Sequence, residues 1–167
     1  VLPEADDVRT VAAAERIVRE GLAKVILVSP LWKIEAAAKQ AGADISGCRI
    51  VDPASSPERS RFAQTLLDLR RHKGMTEERA AELVLDPLFY GCLMVHEGEA
   101  DGQVSGATHS TADTIRPALQ LLGTAPDCGL VSSFFIMIVP DCEYGENGVF
   151  IYADCGLVIN PNAEQLA

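Results

Sequence analysis

Stretches whose apolar residues recur every three or four positions alternate along the chain with short, unbroken apolar runs. Val8, Val11, Ala12, Ile17 and Val18 form the first helical stripe, which ends at Gly21. Asp6 and Asp7 precede it, where a helix N-terminus favours negative charge. Residues 24–29, Lys-Val-Ile-Leu-Val-Ser, are rich in β-branched side chains and predict a strand buried on both faces. Residues 34–41 are alanine-rich and predict a helix, and residues 49–52 a second strand. Residues 57–72 and 76–85 read as two helices parted by Lys73-Gly74, with Thr76 as cap and Glu77 and Glu78 in an acidic first turn. Residues 86–96 are apolar on every side, which predicts a buried helix.

Residues 102–105 predict a short strand, followed by a loop and a helix from Ser110 to about Leu122. Residues 130–139 predict a long central strand that Pro140 ends, residues 141–148 a turn-rich excursion, and residues 149–153 a further strand. Strands alternating with helices imply an α/β fold, with a mostly parallel sheet and helices on both faces. Residues 1–153 read as one α/β domain. Residues 154–167, ending in the first turn of a helix, read as the start of a connection to a second domain. Both ends read as cut points in a longer polypeptide.

Composition narrows the function. A net charge of −10 argues against a general nucleic-acid coat, which needs clustered Lys and Arg. It does not oppose a small anion held in a locally basic pocket. No apolar run approaches the ~20 residues that a bilayer requires, so no membrane partner is expected and the expected compartment is the cytosol. The five cysteines (Cys48, Cys92, Cys128, Cys142 and Cys155) are widely spaced without a CxxC pair, which predicts reduced, mostly buried thiols and no metal centre. Asp141 and Glu143 lack further spaced ligands and read as a solvated turn.

Chemistry concentrates in residues 100–117. A strand ends at Ser105-Gly106, a small polar loop follows, and a helix opens near Ser110. Ligands of open α/β sheets bind at such strand ends, and a helix N-terminus offers unpaired N–H groups to an anion. Gly106 lets backbone approach closely, Thr108, Ser110 and Thr111 can donate hydroxyls, and His109 can serve as base or donor. The run Ser110-Thr-Ala-Asp113 fits a helix cap equally well. Arg116 lies two turns further on, and a guanidinium can grip phosphate through two bonds. Arg70, in the run Arg70-Arg-His-Lys73, sits where positive charge also simply complements a helix C-terminus.

The motifs Leu2-Pro-Glu4, Asp52-Pro53, Glu99-Ala-Asp-Gly102, Ser132-Ser-Phe134 and Pro140-Asp-Cys-Glu-Tyr-Gly145 occur in order. With them stands the long run Val104-Ser-Gly-Ala-Thr-His-Ser-Thr-Ala-Asp-Thr-Ile-Arg-Pro-Ala118. Together they resemble the phosphate acetyltransferases of the phosphate acetyl/butyryl transferase family. The resemblance implies reversible acetyl transfer between coenzyme A and phosphate, with acetyl-CoA, phosphate and acetyl phosphate as substrates and no cofactor. It further implies a homodimer in which each subunit has two three-layer α/β/α domains with the active-site cleft between them, related in fold to the isocitrate and isopropylmalate dehydrogenases. Arg70 and Arg116 match the family's anion-binding arginines. Ser105, Gly106, Thr108, His109, Ser110 and Thr111 match the cleft-wall loop, and Ser132 and Ser133 fall close to it. The family's acyl-transfer serine, arginine and aspartate, near its carboxyl terminus, have no counterpart here. A butyryl-transferring relative, or the acetyl-CoA-sensing domain of a malic enzyme, are the alternative readings.

Overall fold

The computed structural model describes residues 1–126, 128–153, 157, 162 and 163. The chain divides into two compact units, Val1–Gly123 and Thr124–Ala167.

The first unit is built on parallel segments. Strands β1 (Ile26–Val28) and β2 (Arg49–Val51) pair in parallel, with Leu27 opposite Ile50. Leu2 extends the array: its N–H donates to the Ile26 carbonyl, and Val28 N–H donates to the Leu2 carbonyl. Residues 102–105 do not form the regular strand that the sequence predicts. The Val1 nitrogen nevertheless donates to the Gly102 carbonyl at 2.7 Å, and Val104 N–H to the Val1 carbonyl at 3.0 Å. Bonds from one residue to both neighbours of its partner mark a parallel ladder. The order is therefore β2, β1, Leu2, Gln103.

Helices α1 (Val8–Arg19), α2 (Leu31–Ala41), α3 (Arg59–Arg70), α4 (Glu77–Leu83), α5 (Pro87–His96) and α6 (Thr111–Leu121) pack around this array. A 3-10 turn, Arg71–Lys73, follows α3 and ends at Gly74, whose φ of 84° suits glycine. The caps follow from residue type. Asp7, Thr76, Asp86 and Ser110 each accept a backbone N–H of the first turn that follows. Helix α2 starts three residues before the predicted boundary because its cap comes from afar. Pro30 offers no side-chain acceptor, and Asp52 Oδ2 accepts from Leu31 N–H at 3.2 Å.

Successive strand residues face opposite ways. Val25 and Leu27 pack with Val11, Ala14, Ile34 and Ala37, whereas Val28 and Val51 pack with Phe62, Leu66, Tyr90 and Leu93. Helix α5 buries every residue from Leu88 to Met94, as its uniformly apolar sequence demands. The Phe62 and Tyr90 rings lie 4.9 Å apart at 57°, a tilted contact, and Tyr90 OH pairs with Ser56 Oγ. No helix among the described residues is long and apolar enough to cross a membrane.

The second unit corrects one expectation. Residues 130–139 contain strand β3 (Phe134–Ile138), but it is not the centre of a parallel sheet. It pairs antiparallel with β4 (Val149–Ala153), Ile136 opposite Ile151, and every residue of β3 is exposed. The excursion between them closes a hairpin, and a hairpin can only join antiparallel strands. Asp141 and Asn147 take left-handed φ values of 54° and 51° within it. The expected connection over 154–167 lies almost wholly outside the described residues, as does Cys155.

Leu27 is fully buried and carries the pairing on both sides of β1, whereas Leu22 is 69% exposed. Leu27→Ala is expected to lower unfolding free energy by about 2–5 kcal/mol, and Leu22→Ala by less than about 0.5 kcal/mol. Denaturant titrations of the two variants beside the native chain check this.

Candidate functional site

Leu2 and Gln103 belong to neighbouring parallel segments, so the residues just beyond them, Pro3-Glu4 and the 105–110 loop, emerge at the same sheet edge. Glu4 is 2% exposed and turns its carboxylate into that loop. Oε2 accepts from the N–H of Gly106 at 2.6 Å and of Ala107 at 2.7 Å. Oε1 accepts from Thr108 N–H at 2.8 Å, His109 N–H at 2.9 Å and Thr108 Oγ1 at 3.0 Å, with His109 Nδ1 at 2.7 Å. Four consecutive backbone donors thus converge on one internal carboxylate, the geometry by which a backbone nest binds an anion. Gly106 makes the curvature possible with a φ of 108°, a conformation that a side chain rarely adopts. Arg9 secures the outer side, donating from Nη2 to the Ala107 carbonyl at 2.8 Å while its guanidinium pairs with Asp7.

Burial alone would raise the Glu4 pKa. The hydrogen bonds from Thr108, His109, Ala107 and Gly106 outweigh it and hold the carboxyl down at about 2.

The loop therefore does not offer its own N–H groups outward. Ser105 lies within reach of Gln103, at 3.4 Å from Oγ to Nε2. Ser110 is the helix cap: its hydroxyl accepts from Asp113 N–H at 3.2 Å and donates to Asp113 Oδ2 at 2.6 Å. Thr111 opens α6 and is exposed, as is His109. Arg116 pairs with Asp113 at 3.3 Å, one turn back on the same helix. Its side chain is 57% exposed, so the pair is a surface contact that another anion can replace at small cost. Pro117 follows inside α6 and supplies no N–H to the Asp113 carbonyl, interrupting the helix ladder beside Arg116.

Arg70 ends α3 and lines an open recess with Lys73, Gly74, Arg79 and Gln120. Gln120 is one turn beyond Arg116, so the ends of α3 and α6 share this basic recess. The structure thus gathers Gly106, Thr108 and His109 on Glu4, leaves Ser105, Ser110 and Thr111 as their chain neighbours without a hydrogen bond to it, and places Arg70 and Arg116 on helices of the same unit. Ser132 and Ser133 belong to the second unit, just before β3.

The cysteines are less uniformly buried than their sequence context predicts. Cys92 is buried in α5, Cys48 and Cys142 are half-buried, and Cys128 is exposed in the segment that opens the second unit. Burial pushes the Cys92 thiol up to about 11 and raises that of Cys48 as well, which suppresses their thiolates.

Glu4 is the site residue that the sequence pattern does not reveal. It stands in the Leu2-Pro-Glu4 motif, but nothing local tells its role, because its partners lie more than 100 residues away.

The sequence profile described as Phosphate acetyl/butaryl transferase matches residues 1–167. A phosphate acetyltransferase from Acetivibrio thermocellus is 53% identical over 167 residues, covering 100% of this chain and 50% of that protein. Another, from Thermoanaerobacterium thermosaccharolyticum, is 50% identical with the same two coverages. A solved phosphotransacetylase from Streptococcus pyogenes superposes with a TM-score of 0.85 at 33% identity, over 99% of this chain and 49% of that one. The EutD phosphotransacetylase from Staphylococcus aureus gives 0.84 at 34% identity, over 99% and 48%. This chain spans about half the length of the curated relatives it matches.

A carboxyl held at about 2 contributes stability that is fully present above its ordinary pKa near 4.5 and is lost as pH falls through about 2. Across that window the native chain is expected to lose about 3 kcal/mol more than Glu4→Gln, which has no proton to take up there. Denaturant midpoints measured from pH 6 down to the acid limit check this. Parallel acid profiles for the two proteins would contradict an ionised, loop-bound Glu4.

Proposed function

The chain belongs to the phosphate acetyl/butaryl transferase family, and on that premise we propose that it is the amino-terminal part of a phosphate acetyltransferase. The reaction is acetyl-CoA plus phosphate giving acetyl phosphate plus free CoA, and its reverse. In the forward direction a phosphate oxygen attacks the thioester carbonyl, the C–S bond breaks, and the electron pair leaves on the CoA sulfur. Two anions must be brought together, so cations and polar donors have to screen them. Arg116 and Arg70 fill that role as anion clamps. Ser105, Gly106, Thr108, His109, Ser110 and Thr111 form the wall on which substrate is seated; by family resemblance Ser132 and Ser133, in the second unit, are further candidate hydroxyls. Direct attack needs neither a cofactor nor a cysteine nucleophile.

The observation that carries this reading is the loop at 105–110. An internal carboxylate fixes its shape, and it leads without interruption into the helix that bears Arg116. That helix shares a basic recess with Arg70. Burial of alternate strand residues in two separate helix-lined clusters supports a three-layer α/β/α arrangement like that of the isocitrate and isopropylmalate dehydrogenases. We take the working enzyme to be a cytoplasmic homodimer whose second domain supplies the residues that activate the CoA thiol.

In an enzyme of the relatives' full length, Arg116→Ala is expected to lower kcat/KM for phosphate or CoA by at least ~100-fold, the scale for removing one charge-stabilising donor. Steady-state kinetics of a folded variant within threefold of the native enzyme would overturn the assignment. The 167-residue chain by itself is expected to give no acetyl-CoA from acetyl phosphate and CoA, since an unactivated thiol near pKa 8.5 is mostly protonated at neutral pH. Turnover by the chain within tenfold of the longer enzyme would show that its catalytic groups are all here.

A further inference from the structure

His109 is the one histidine that touches Glu4, and the geometry of that contact puts a hydrogen on Nδ1. The two Glu4 oxygens accept from four backbone N–H groups and one hydroxyl, leaving a carboxyl proton no place among them. The carboxylate is therefore ionised and can only accept. Thr108 Oγ1, 3.3 Å from Nδ1, gives its own hydrogen to Oε1, so at 2.7 Å Nδ1 must carry the hydrogen it donates to Oε1. In its neutral form the imidazole then has its free lone pair on Nε2. The side chain is 40% exposed, while the carboxylate that orients it is 2% exposed. Backbone donors of the loop face inward, so what the loop shows to solvent at this point is an acceptor.

We propose that Glu4 is a positioning residue that locks His109 in its Nδ1–H form, so that Nε2 accepts a hydrogen bond from the protonated oxygen of monohydrogen phosphate. The substrate half of this rests on the acetyltransferase reading; the lock itself does not. An acceptor suits a hydrogen-bearing anion better than a fully ionised one, because phosphate then offers a donor to Nε2 and keeps its charged oxygens for the arginines. The other charged groups around the loop are Asp7 and Arg9 at the start of α1 and Asp113 and Arg116 on α6. Each pair is internally matched, Arg9 with Asp7 and Arg116 with Asp113. Glu4 is thus the acid in contact with the ring. A carboxylate orienting an imidazole by this bond is a general device for setting which nitrogen meets the substrate.

The test is long-range proton–nitrogen NMR of the imidazoles in the 167-residue chain, above their titration, with His109 assigned by His109→Asn. The expected result is a single Nδ1–H tautomer for His109, changing to a mixture or to Nε2–H in Glu4→Ala while the amide signals of α1 and α2 persist. An Nε2–H or evenly mixed tautomer in the native chain overturns the proposal, and so does an unchanged tautomer in Glu4→Ala. Should Glu4→Ala not fold, the native tautomer decides alone. Inorganic phosphate added to the native chain is expected to shift Nε2 of His109 and leave His72 and His96 unmoved. No shift at His109 would overturn the substrate half. None of these signals depends on turnover, so a failure here leaves the acetyltransferase reading to stand or fall by the Arg116 kinetics.

Discussion

One buried carboxylate organises the functional end of this chain. Taking Glu4 out of water is costly, and the cost is met because its oxygens receive four main-chain N–H groups and two side-chain donors. The same bonds settle what would otherwise be a problem for the loop. Residues 106–109 turn through a conformation that no helix or sheet satisfies, and their donors need an acceptor. Charge and loop each supply what the other lacks. Everything downstream, the cap at Ser110, the start of α6 and the placement of Arg116, is set out from that fixed point.

The arrangement also changes what the loop can contribute under the proposed function. A small polar loop before a helix invites the expectation that its backbone holds the substrate anion. Here an internal anion already occupies the nest, so the loop acts as a rigid mount for side chains. Rigidity matters for the proposed acetyl transfer between two negatively charged partners, since a misplacement of about 1 Å can cost roughly 100-fold in rate. The arginines, held only by a surface ion pair or an open recess, keep their charge available.

The legibility of the chain in its sequence follows the range of the interactions. Helix α5 is readable because seven consecutive apolar residues can only be buried, and the caps at Thr76 and Ser110 because capping acts within one turn. The start of α2 is not legible because its cap, Asp52, arrives from the end of β2, 21 residues away. Strand β3 is visible as an apolar run, but its partner and direction depend on the turn that follows, and an apolar run looks the same in a parallel or an antiparallel sheet. The run at 104–118 marks the site through its resemblance to a family, whereas Glu4 is seen only as part of the Leu2-Pro-Glu4 motif, because nothing local distinguishes a buried acid from a solvated one.

The separation between Glu4 and its loop has a consequence for how the chain is made. Synthesis at ~5–20 residues per second leaves roughly 5–20 s between the emergence of Glu4 and that of His109. During that interval the carboxylate has none of its four N–H partners, and the sheet edge at Leu2 has no Gln103 beside it. Helices α1 and α2 can settle on β1 early, since their contacts are close in sequence, but the site cannot exist before its last segment arrives. The nascent chain therefore carries an unpaired acid that must stay hydrated, and the final closing of the edge converts a solvated carboxylate into the most deeply held charge at the site.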